Sequence, residues 1–401
     1  MLELEEAQQR ILSGVTGLGA NVVPLSKAAG RFLAASVHSA IKLPPFDNSA
    51  MDGYAVRAGE VASAGPKTPV ILKLAGKVAA GECFSGEVRP GGCVWIFTGS
   101  PLPAGLDAVV MQEDTRVDES DPSRVVFLDS IKPWENVRFV GEDVKLGTIL
   151  TRTGDRLTPG RLGLLAAAGI TEVQCARQPV VGLLATGSEL LEPGTPLAAG
   201  KIYESNRTSL AALAAQAGAV PKIFPLAPDT PSATGAALER ALAQCDLVIT
   251  TGGVSVGEMD LVKHAFSELG GITEFWKIAM KPGRPFVFGH CAEKLWFGLP
   301  GNPVSAFVTF LLLVRPALLR YQGATEVDLA GHQGTLIESL SNSGERRHFM
   351  RVKIDETATV RSAGVQASHV MSSLAEANGL IDVPPQTTFV TGTTVRVMRW
   401  E

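Results

Sequence analysis

The spacing of apolar residues predicts a helix at the N-terminus and a small β domain after it. From Leu4 to Leu18 the apolar residues recur at helical spacing, which predicts an amphipathic helix over residues 3–19. Between about residues 46 and 140, short apolar runs such as DAVVMQED and SRVVFL are broken by glycine and proline. That pattern is typical of an all-β domain.

Helical spacing returns after the β segment. Thr158, Pro159 and Gly169 have the residue types of an N-cap, a first helical turn and a helix end, which predicts a helix over LTPGRLGLLAAAG. The β segment is therefore interpreted as an insertion in a discontinuous N-terminal domain that comprises residues 1–45 and 141–178.

A different pattern occupies residues 179–321. Apolar runs that end in glycine turns alternate with helical stretches, as in VVGLLATGSE, SNRTSLAALAAQAG and DLVITTGGVSVGE. Strands that alternate with helices of this length predict a three-layer α/β domain with a parallel sheet, whose ligands bind at the C-terminal strand ends. After Tyr321 the apolar runs are short and alternate, which predicts a small β-barrel-like domain over residues 322–401.

The composition is that of a soluble globular chain. Of 401 residues, 45% are hydrophobic and 19% are charged, with a formal net charge of -4. Extended disorder is therefore excluded, and neither nucleic acid nor an anionic membrane is the expected partner. The N-terminus lacks the residue order of a secretory signal, and the longest apolar run, Ala306–Val314, is shorter than the roughly 20 residues that cross a bilayer. We therefore expect a cytoplasmic protein of several domains.

Cysteine and histidine give no sign of a metal site. The five cysteines are odd in number and form no CxxC pair, so we expect free, mostly buried thiols instead of disulfides or a structural zinc. The six histidines are scattered without an HExxH motif, so core or surface roles are favoured over metal ligation.

The segment Pro44–Ala55, PPFDNSAMDGYA, is the richest in candidate chemistry. It combines two carboxylates, amide and hydroxyl side chains and a glycine without apolar periodicity. Loops with such residues often carry catalytic groups. A purely structural turn explains the segment equally well when it is considered alone.

The segment Thr250–Asp260, TTGGVSVGEMD, is a glycine-rich loop between a predicted strand and a predicted helix. Backbone N–H groups freed by Gly252 and Gly253, with the positive end of the helix, can hold an oxyanion or a phosphate. The loop matches neither GxGxxG nor GxxxxGK[ST], so a dinucleotide fold or a P-loop is disfavoured. Asp260 adds a carboxylate of the kind that hydrated Mg²⁺ requires, and a plain strand-to-helix turn remains the alternative.

Basic residues cluster at Lys277, Lys281 and Arg284 in a chain that is otherwise acidic. A solvated face is the simplest explanation of such a cluster. However, proline and glycine fix the backbone beside Lys281, and a second rigid turn follows at Pro300–Pro303. Two such turns at adjacent strand ends predict a small anion pocket.

Three further carboxylates, Asp143, Glu189 and Asp229, occupy similar loop positions. Each alone is explained by a helix cap or a surface charge. Only their convergence would make a metal site, and the spacing leaves that choice open.

These motifs occur in the order found in a known family. In sequence they are PPFDNSAMDGYA, FTGSPLPAG, AVVMQED, GED, ATGSEL, YESNR, TTGGVSVGEMD, MKPGRP and GLPGNPVSA. Together they closely resemble the molybdopterin molybdenumtransferases, whose relatives include the C-terminal domain of gephyrin. The resemblance covers nearly the whole chain. It implies the last step of molybdenum cofactor synthesis, in which molybdate reacts with adenylylated molybdopterin to give AMP and the metal-loaded dithiolene.

The resemblance also implies roles for individual residues. Cleavage of a phosphoanhydride requires Mg²⁺ held by carboxylates, and binding of a tetrahedral oxyanion requires lysine, arginine, hydroxyl and backbone N–H groups. The implied catalytic and acidic residues are Asp52, Thr98, Asp143, Glu189, Asp229 and Asp260, of which Glu189, Asp229 and Asp260 bind the metal. The implied contacts to pterin phosphate and molybdate are Gly252, Gly253, Ser255, Lys277, Lys281, Arg284, Pro300, Pro303, Arg351 and Ser368.

In this family the subunit is elongated and has four domains, and the site forms between the α/β domain of one subunit and the insertion of its partner. A homodimer is therefore implied, with the molybdopterin adenylyltransferase and molybdoenzyme acceptors as further partners. Two positions depart from the pattern. Relatives often have aspartate in place of Glu204 in YESNR, and more arginines than Arg138 alone just before GED, which leaves the pterin contacts there open.

Two other functions are compatible with parts of the chain. The molybdopterin adenylyltransferase uses the same α/β domain, but it resembles only residues 179–320 and would lack PPFDNSAMDGYA. A scaffold of the gephyrin type would use these domains to dimerise and to hold receptor tails. Since neither a fused adenylyltransferase domain nor a long linker is present, we favour a stand-alone enzyme.

Overall fold

The computed structural model describes residues 1–79, 81–253 and 261–400. The chain divides into two compact units, and each unit is built from discontinuous segments that contact one another. The first unit comprises Met1–Ala35, Thr153–Thr158 and Val173–Glu401, and the second comprises Ser36–Arg152 and Pro159–Glu172. This division is coarser than the four predicted domains, whose boundaries stay a prediction.

A six-stranded sheet forms the centre of the first unit. In spatial order its strands are Val220–Ile223, Val180–Ala185, Leu247–Thr251, Lys294–Leu299, Val287–Cys291 and Ile272–Trp276. The first four strands are parallel, as predicted, and Val287–Cys291 runs antiparallel to both of its neighbours, Lys294–Leu299 and Ile272–Trp276. Only Ala292 and Glu293 separate Val287–Cys291 from Lys294–Leu299, and so short a connection joins antiparallel strands.

Helices cover this sheet and supply much of the core. In the first unit they are Leu4–Ser13, Asn206–Gln216, Pro231–Gln244, Leu261–Glu268, Pro303–Thr309, Arg315–Tyr321 and Met371–Glu376. The N-terminal helix ends at Ser13 and not at residue 19 as predicted, since glycines follow at positions 14, 17 and 19 and glycine disfavours helix.

One long apolar helix lies in the core of the first unit. A π-helical turn, Phe310–Val314, joins the two α-helical segments on either side of it, giving a continuous helix Pro303–Tyr321. Among the described residues, this 19-residue helix alone is long and apolar enough to cross a membrane, and 83% of it is buried inside the protein. Burial of this kind is what a core helix shows.

The C-terminal strands close into a small barrel, which confirms the predicted fold class. Around the barrel they are Arg347–Ile354, Thr359–Ser362, Ala330–Leu336, Thr394–Arg399 and Gly379–Val383, and the last pairs again with the first. The short strand Met280–Lys281 adds to this sheet in parallel, with Lys281 opposite His348. Lys281, which belongs to the predicted α/β domain in the sequence, is thereby held at the edge of the barrel.

The described residues of the second unit form a six-stranded sheet and one α-helix. Its strands, in spatial order, are Ala108–Met111, Gly53–Val56, Gly92–Ile96, Val70–Lys77, Asp121–Phe127 and Thr115–Asp118. The helix Pro159–Ala167 confirms the predicted one, and Gly169 beyond its end has a φ of +79°. Gly53 is required in its strand, because a Cβ there would lie 2.0 Å from the Val110 carbonyl oxygen.

The five cysteines are free, and three of them are buried. Short elements complete the chain. The short strands are Ala20–Pro24, Val37–His38, Asn48–Ser49, Val137–Arg138, Ile149–Thr151, Glu172–Ala176, Leu190–Leu191, Ile202–Tyr203, Leu340–Asn342 and Thr387–Phe389. The 3₁₀ turns are Leu25–Lys27, Ala58–Glu60 and Gln112–Asp114.

Candidate functional site

A cavity of about 550 Å³ opens at the carboxyl ends of the parallel strands. We call it the sheet-edge cavity. The residues that follow three neighbouring strands line it, among them Thr186, Glu189, Gly252, Gly253, Pro300 and Pro303. Ligands of open α/β sheets bind at this edge, so the position agrees with the one expected from the sequence.

The glycine loop approaches its neighbours too closely for any side chain. Gly252 and Gly253 have φ values of +84° and +64°, and a Cβ on Gly252 would lie 2.5 Å from the Thr186 carbonyl oxygen. A Cβ on Gly301 would lie 3.7 Å from the Gly252 Cα. The two turns therefore lie against each other. Ser255 and Asp260, the other predicted residues of this loop, lie outside the described residues.

The predicted acidic residues of the first unit are placed differently. The Glu189 carboxylate folds over Gly187, where a Cβ would lie 2.7 Å from Oε2, and Glu189 lines the sheet-edge cavity. Asp229 is exposed just before the helix that Thr230 caps, and it does not line that cavity. Within residues 1–79, 81–253 and 261–400, no group of three or more His, Cys, Asp or Glu could hold a metal ion.

Glu204 and Arg207 form a buried ion pair at the wall of the sheet-edge cavity. Arg207 Nε donates to Glu204 Oε2 at 2.9 Å, and the two side chains are only 4% and 3% exposed. Arg207 also donates to the Phe224 carbonyl oxygen at 2.6 Å and to Glu192 at 2.8 Å. This pair holds the loop in place instead of offering a free carboxylate. Glu204 stands out in the sequence as a departure from the family pattern, and its i,i+3 spacing to Arg207 is the signal from which the pair could have been predicted.

Two polar atoms in the wall of this cavity have no partner. Thr186 Oγ1 and Asn206 Oδ1 are buried and accept no hydrogen bond from any described residue. The Asn206 amide nitrogen donates to the Gly301 carbonyl oxygen at 2.8 Å, so Asn206 fixes the turn that lies against Gly252. Sequence reasoning did not select either residue, because nothing in their spacing indicates burial.

A second cavity, of about 430 Å³, is lined by positive charge, and we call it the cationic cavity. Lys281, Arg284, Arg346, Ser368 and His369 line it. No described carboxylate forms an ion pair with the lysine or with either arginine. Since no acidic side chain lines it in the part of the chain that the structure describes, the cavity is suited to an anion.

The turn between Lys281 and Arg284 depends on a glycine. Gly283 has a φ of +112°, and a Cβ there would lie 2.4 Å from Thr309 Cγ2 in the long helix. The predicted rigid turn is therefore real, and its rigidity comes from packing as well as from proline. Lys277 lies apart from both cavities, with a φ of +66° and its ammonium 3.6 Å from the centre of the Trp276 ring.

Ser368 is held at the cationic cavity by a network. The Asn302 amide donates to Ser368 Oγ at 3.2 Å and the Val304 N–H donates to the Ser368 carbonyl oxygen at 3.2 Å. Asn302 occupies the N-cap position, but its side chain makes this contact and does not cap the helix. Arg351 is fully buried and donates to the Val365 carbonyl oxygen at 2.7 Å, so it positions the segment that carries Ser368 and does not itself reach the cavity surface.

The two cavities adjoin. Four described residues line both of them: Pro285, Pro300, Asn302 and His369. The two cavities therefore share one wall.

In the second unit, Asp52 and Thr98 lie together. The Thr98 N–H and hydroxyl donate to Asp52 Oδ1 at 2.7 and 2.8 Å, and both residues are exposed. The hydrogen bond from the Thr98 N–H, and to a smaller extent the one from its hydroxyl, hold the pKa of Asp52 below its ordinary value, so the carboxylate stays ionised. Asp143 is exposed as well, and its N–H donates to the Leu43 carbonyl oxygen at 3.1 Å.

The other polar residues of PPFDNSAMDGYA serve the loop itself. Asp47 Oδ1 accepts the Val140 N–H at 2.7 Å, the Asn48 amide donates to the Phe46 carbonyl oxygen, and the Ser49 hydroxyl donates to the Met51 carbonyl oxygen. These contacts are structural, as the alternative interpretation of the loop expected. Asp52 differs from them because its carboxylate is exposed.

Three family models match the chain in succession. Residues 2–169 match the MoeA N-terminal region (domain I and II), residues 182–320 match a probable molybdopterin binding domain, and residues 333–400 match the MoeA C-terminal region (domain IV). Together these models cover nearly the whole chain.

Curated relatives and a solved structure agree with these matches. The molybdopterin molybdenumtransferase of Haemophilus influenzae is 40% identical over 388 residues, covering 95% of this chain and 94% of the relative. The molybdopterin molybdenumtransferase 2 of Mycobacterium tuberculosis is 40% identical over 390 residues, covering 96% of each. The crystal structure of the molybdopterin biosynthesis moeA protein of Pyrococcus horikoshii covers 100% of both chains at 31% identity, with a TM-score of 0.86. These matches confirm the resemblance seen in the motifs, and the chain belongs to the molybdopterin molybdenumtransferase family of enzymes.

Proposed function

We propose that this chain transfers molybdenum from molybdate to adenylylated molybdopterin and releases AMP. Its relatives are named molybdopterin molybdenumtransferases, and this name supports a role in molybdenum cofactor biosynthesis. The observation that carries the proposal is the contact between the cationic cavity and the sheet-edge cavity. The reaction needs one place for a tetrahedral oxyanion and a neighbouring place for a phosphorylated pterin.

The cationic cavity is the proposed molybdate site. Lys281, Arg284 and Arg346 supply positive charge that no described carboxylate neutralises, and the Ser368 hydroxyl supplies a hydrogen-bond donor. Charge-assisted hydrogen bonds of this kind are among the strongest that a protein offers to an oxyanion. The Lys277 ammonium lies against the Trp276 ring in a cation–π contact. We propose that it leaves this contact and joins the site when substrate is bound.

The sheet-edge cavity is the proposed site of the pterin and its phosphates. The backbone N–H groups at Gly252 and Gly253, at the carboxyl end of a parallel strand, suit a phosphate. Pro300 and Pro303 shape the turn that lies against them. The partnerless oxygen atoms of Thr186 and Asn206 in the same wall are the groups that a buried ligand would satisfy.

A bound Mg²⁺ is proposed from the family resemblance, because among the described residues Glu189 alone offers the sheet-edge cavity a carboxylate outside an ion pair. Asp229 lies two residues after Ala227, which is bridged to Thr186 at the same edge of the sheet, but it does not line the cavity. One or two carboxylates together with phosphate oxygens are the usual ligands of Mg²⁺, so Glu189 would hold it, with Asp229 and Asp260 as the further ligands that the resemblance implies. When bound, the ion draws charge from the phosphate that leaves with AMP.

We assign Asp52, Thr98 and Asp143 to the site through a second copy of the chain. In a homodimer, the second unit of one subunit would bring the ionised Asp52 carboxylate to the nucleotide end of its partner's site. Mixing two inactive variants tests this: Asp52→Asn and Lys281→Gln subunits, refolded together, should regain part of the activity if the residues act in different subunits. No regain would place them in one subunit.

The activity itself is tested by AMP release from adenylylated molybdopterin. With Mg²⁺ present, the purified protein should release AMP in a molybdate-dependent manner and yield active cofactor. Lys281→Gln should lose this dependence, whereas Lys222→Gln, at an exposed lysine on the edge strand Val220–Ile223 of the central sheet, should not. Tight binding of the intermediate without release would instead support a carrier or scaffold, and synthesis of the intermediate from ATP would support an adenylyltransferase.

A further inference from the structure

A third cavity lies next to the cationic one, at the edge of the C-terminal barrel. It has a volume of about 300 Å³, and we call it the barrel cavity. Lys281, His348 and Gln366 line it together with the serine-rich segment 339–344. Lys281 and Gln366 also line the cationic cavity, so the two spaces share a cation.

The barrel cavity is electrically positive. No aspartate or glutamate is present among the described residues that line it, and its lysine has no ion pair with any described carboxylate. Burial, and then the charges of Lys281, Arg351 and Arg346, lower the pKa of His348 to about 4. His348 is therefore neutral at physiological pH, because a charged imidazole would add to positive charge that is already unbalanced.

A buried polar atom in the lining of this cavity has no hydrogen-bond partner among the described residues. His348 is only 4% exposed, and its Nε2 forms no hydrogen bond with any described residue. A buried polar group without a partner is costly and calls for a bound water, ion or ligand.

The backbone brings these groups together. Lys281 and His348 are opposite each other in the parallel pairing of Met280–Lys281 with the strand Arg347–Ile354. The exposed hydroxyl side chains of Ser339, Ser341 and Ser343 lie on the lining segment. Hydroxyl, imidazole and ammonium groups around a small acid-free space are the donors that a tetrahedral oxyanion requires.

We propose that the barrel cavity is a second binding site for a tetrahedral oxyanion such as molybdate, sulfate or phosphate, adjoining the cationic cavity through Lys281. An anion in the barrel cavity would contact the ammonium that the cationic cavity also uses. The barrel cavity would thus retain molybdate next to the place where it reacts. The choice of molybdate as the natural anion rests on the proposed function, whereas the existence of the site does not.

The test is anion binding by the whole protein, without turnover. Calorimetric titration with molybdate, and separately with sulfate, should give two sites on the unaltered chain. Ser343→Asp places a carboxylate on the cavity lining and should weaken one site at least about 10-fold, since like charges repel strongly. Ser343→Asn introduces a side chain of nearly the same size as aspartate but without charge, so it should leave anion binding at both sites unchanged. The Ser343 side chain is exposed, so both variants should fold.

Ser368→Asp separates the two sites. This substitution should abolish anion binding in the cationic cavity. It should leave anion binding in the barrel cavity, which Ser343→Asp weakens, unchanged. The ring nitrogen signals of His348 in an NMR titration should shift with molybdate in the unaltered chain and in Ser368→Asp, but not in Ser343→Asp. Equal binding by Ser343→Asp and Ser343→Asn, or a His348 signal that ignores the anion, would overturn the proposal.

The proposed function fails by a different result. If both anion sites are found and the protein releases no AMP from adenylylated molybdopterin, the barrel cavity stands and the transferase reaction does not. If AMP release depends on molybdate and only one anion site exists, the reaction stands and the barrel cavity is overturned.

Discussion

Asp52 and Glu204 are carboxylates in two polar loops, and the structure gives them opposite surroundings. Asp52 is exposed in the second unit and accepts two hydrogen bonds from Thr98, and it forms no ion pair with a described residue. Glu204 is 3% exposed in the first unit and is paired with Arg207. Both carboxylates are well satisfied, but only Asp52 keeps a face open to a ligand.

The difference shows how to separate a functional carboxylate from a structural one. A buried pair contributes little net stability when complete, yet the loss of one member leaves a charge in the interior. An exposed carboxylate contributes little to the core, so its careful orientation needs another explanation. Mutation should therefore affect folding at Glu204 and chemistry at Asp52.

The largest expected effect is on folding. Arg207→Met should lower the free energy of unfolding by about 3–5 kcal/mol, because it leaves Glu204 buried without its cation. Glu204→Gln should act in the same direction, since Arg207 would then keep only its contacts to Glu192 and to the Phe224 carbonyl oxygen. Chemical denaturation of each variant measures the change. A loss below about 1 kcal/mol would mean that the loop holds its shape without the pair.

The second effect is on turnover with an intact fold. Asp52→Asn keeps the size of the side chain and removes its charge, so molybdate-dependent AMP release should fall about 100-fold or more. The melting temperature should stay that of the unaltered chain, because Asp52 is exposed. Asp47→Asn is the matched control: Asp47 receives the Val140 N–H at 2.7 Å, so it should alter stability more than the turnover of the folded enzyme. Full activity of Asp52→Asn, or its unfolding, would contradict the assignment.

Much of the fold followed from the sequence because apolar spacing reports which face of an element is buried. The alternation of strands and helices and the barrel-like end were predicted on that basis. The antiparallel direction of Val287–Cys291 did not follow from the sequence, because this strand and Lys294–Leu299 are apolar in either direction. Ala292 and Glu293, which connect them, lack the Asn-Gly signal of a hairpin, although Ala292 has a φ of +51°.

The site was predicted less completely, for a physical reason. Motifs report residue types, whereas a site depends on which polar atoms are buried and unpartnered. The sequence indicated Lys281 and Gly252 through their turns, and both line cavities. It could not show that Arg351 is fully buried or that Arg207 neutralises Glu204, because burial is set by packing between distant segments.

A smaller effect on turnover should follow from the partner of Asp52. Thr98→Val removes the hydroxyl donor and keeps the backbone N–H, so the pKa of Asp52 should rise part of the way toward its ordinary value. Because the carboxylate is also less firmly oriented, turnover at neutral pH should fall roughly 10-fold. Thr98→Ser restores the hydroxyl and should restore both values. Carboxyl NMR titration measures the pKa, and an unchanged pKa in Thr98→Val would show that the hydroxyl bond is not made in solution.

The smallest effect tests whether burial, and not distance, gives the Glu204–Arg207 pair its importance. Glu6 and Arg10 lie one helical turn apart at 2.6 Å, closer than Glu204 and Arg207 at 2.9 Å, but their side chains are 48% and 49% exposed. Water screens such a pair, so Glu6→Gln should cost about 0.3–0.5 kcal/mol in unfolding free energy, and less at high salt. Denaturation at low and high salt measures this difference. A cost comparable to that of Glu204→Gln would mean that charge pairing stabilises this chain regardless of burial, and the distinction between the two loops would then have to rest on their chemistry alone.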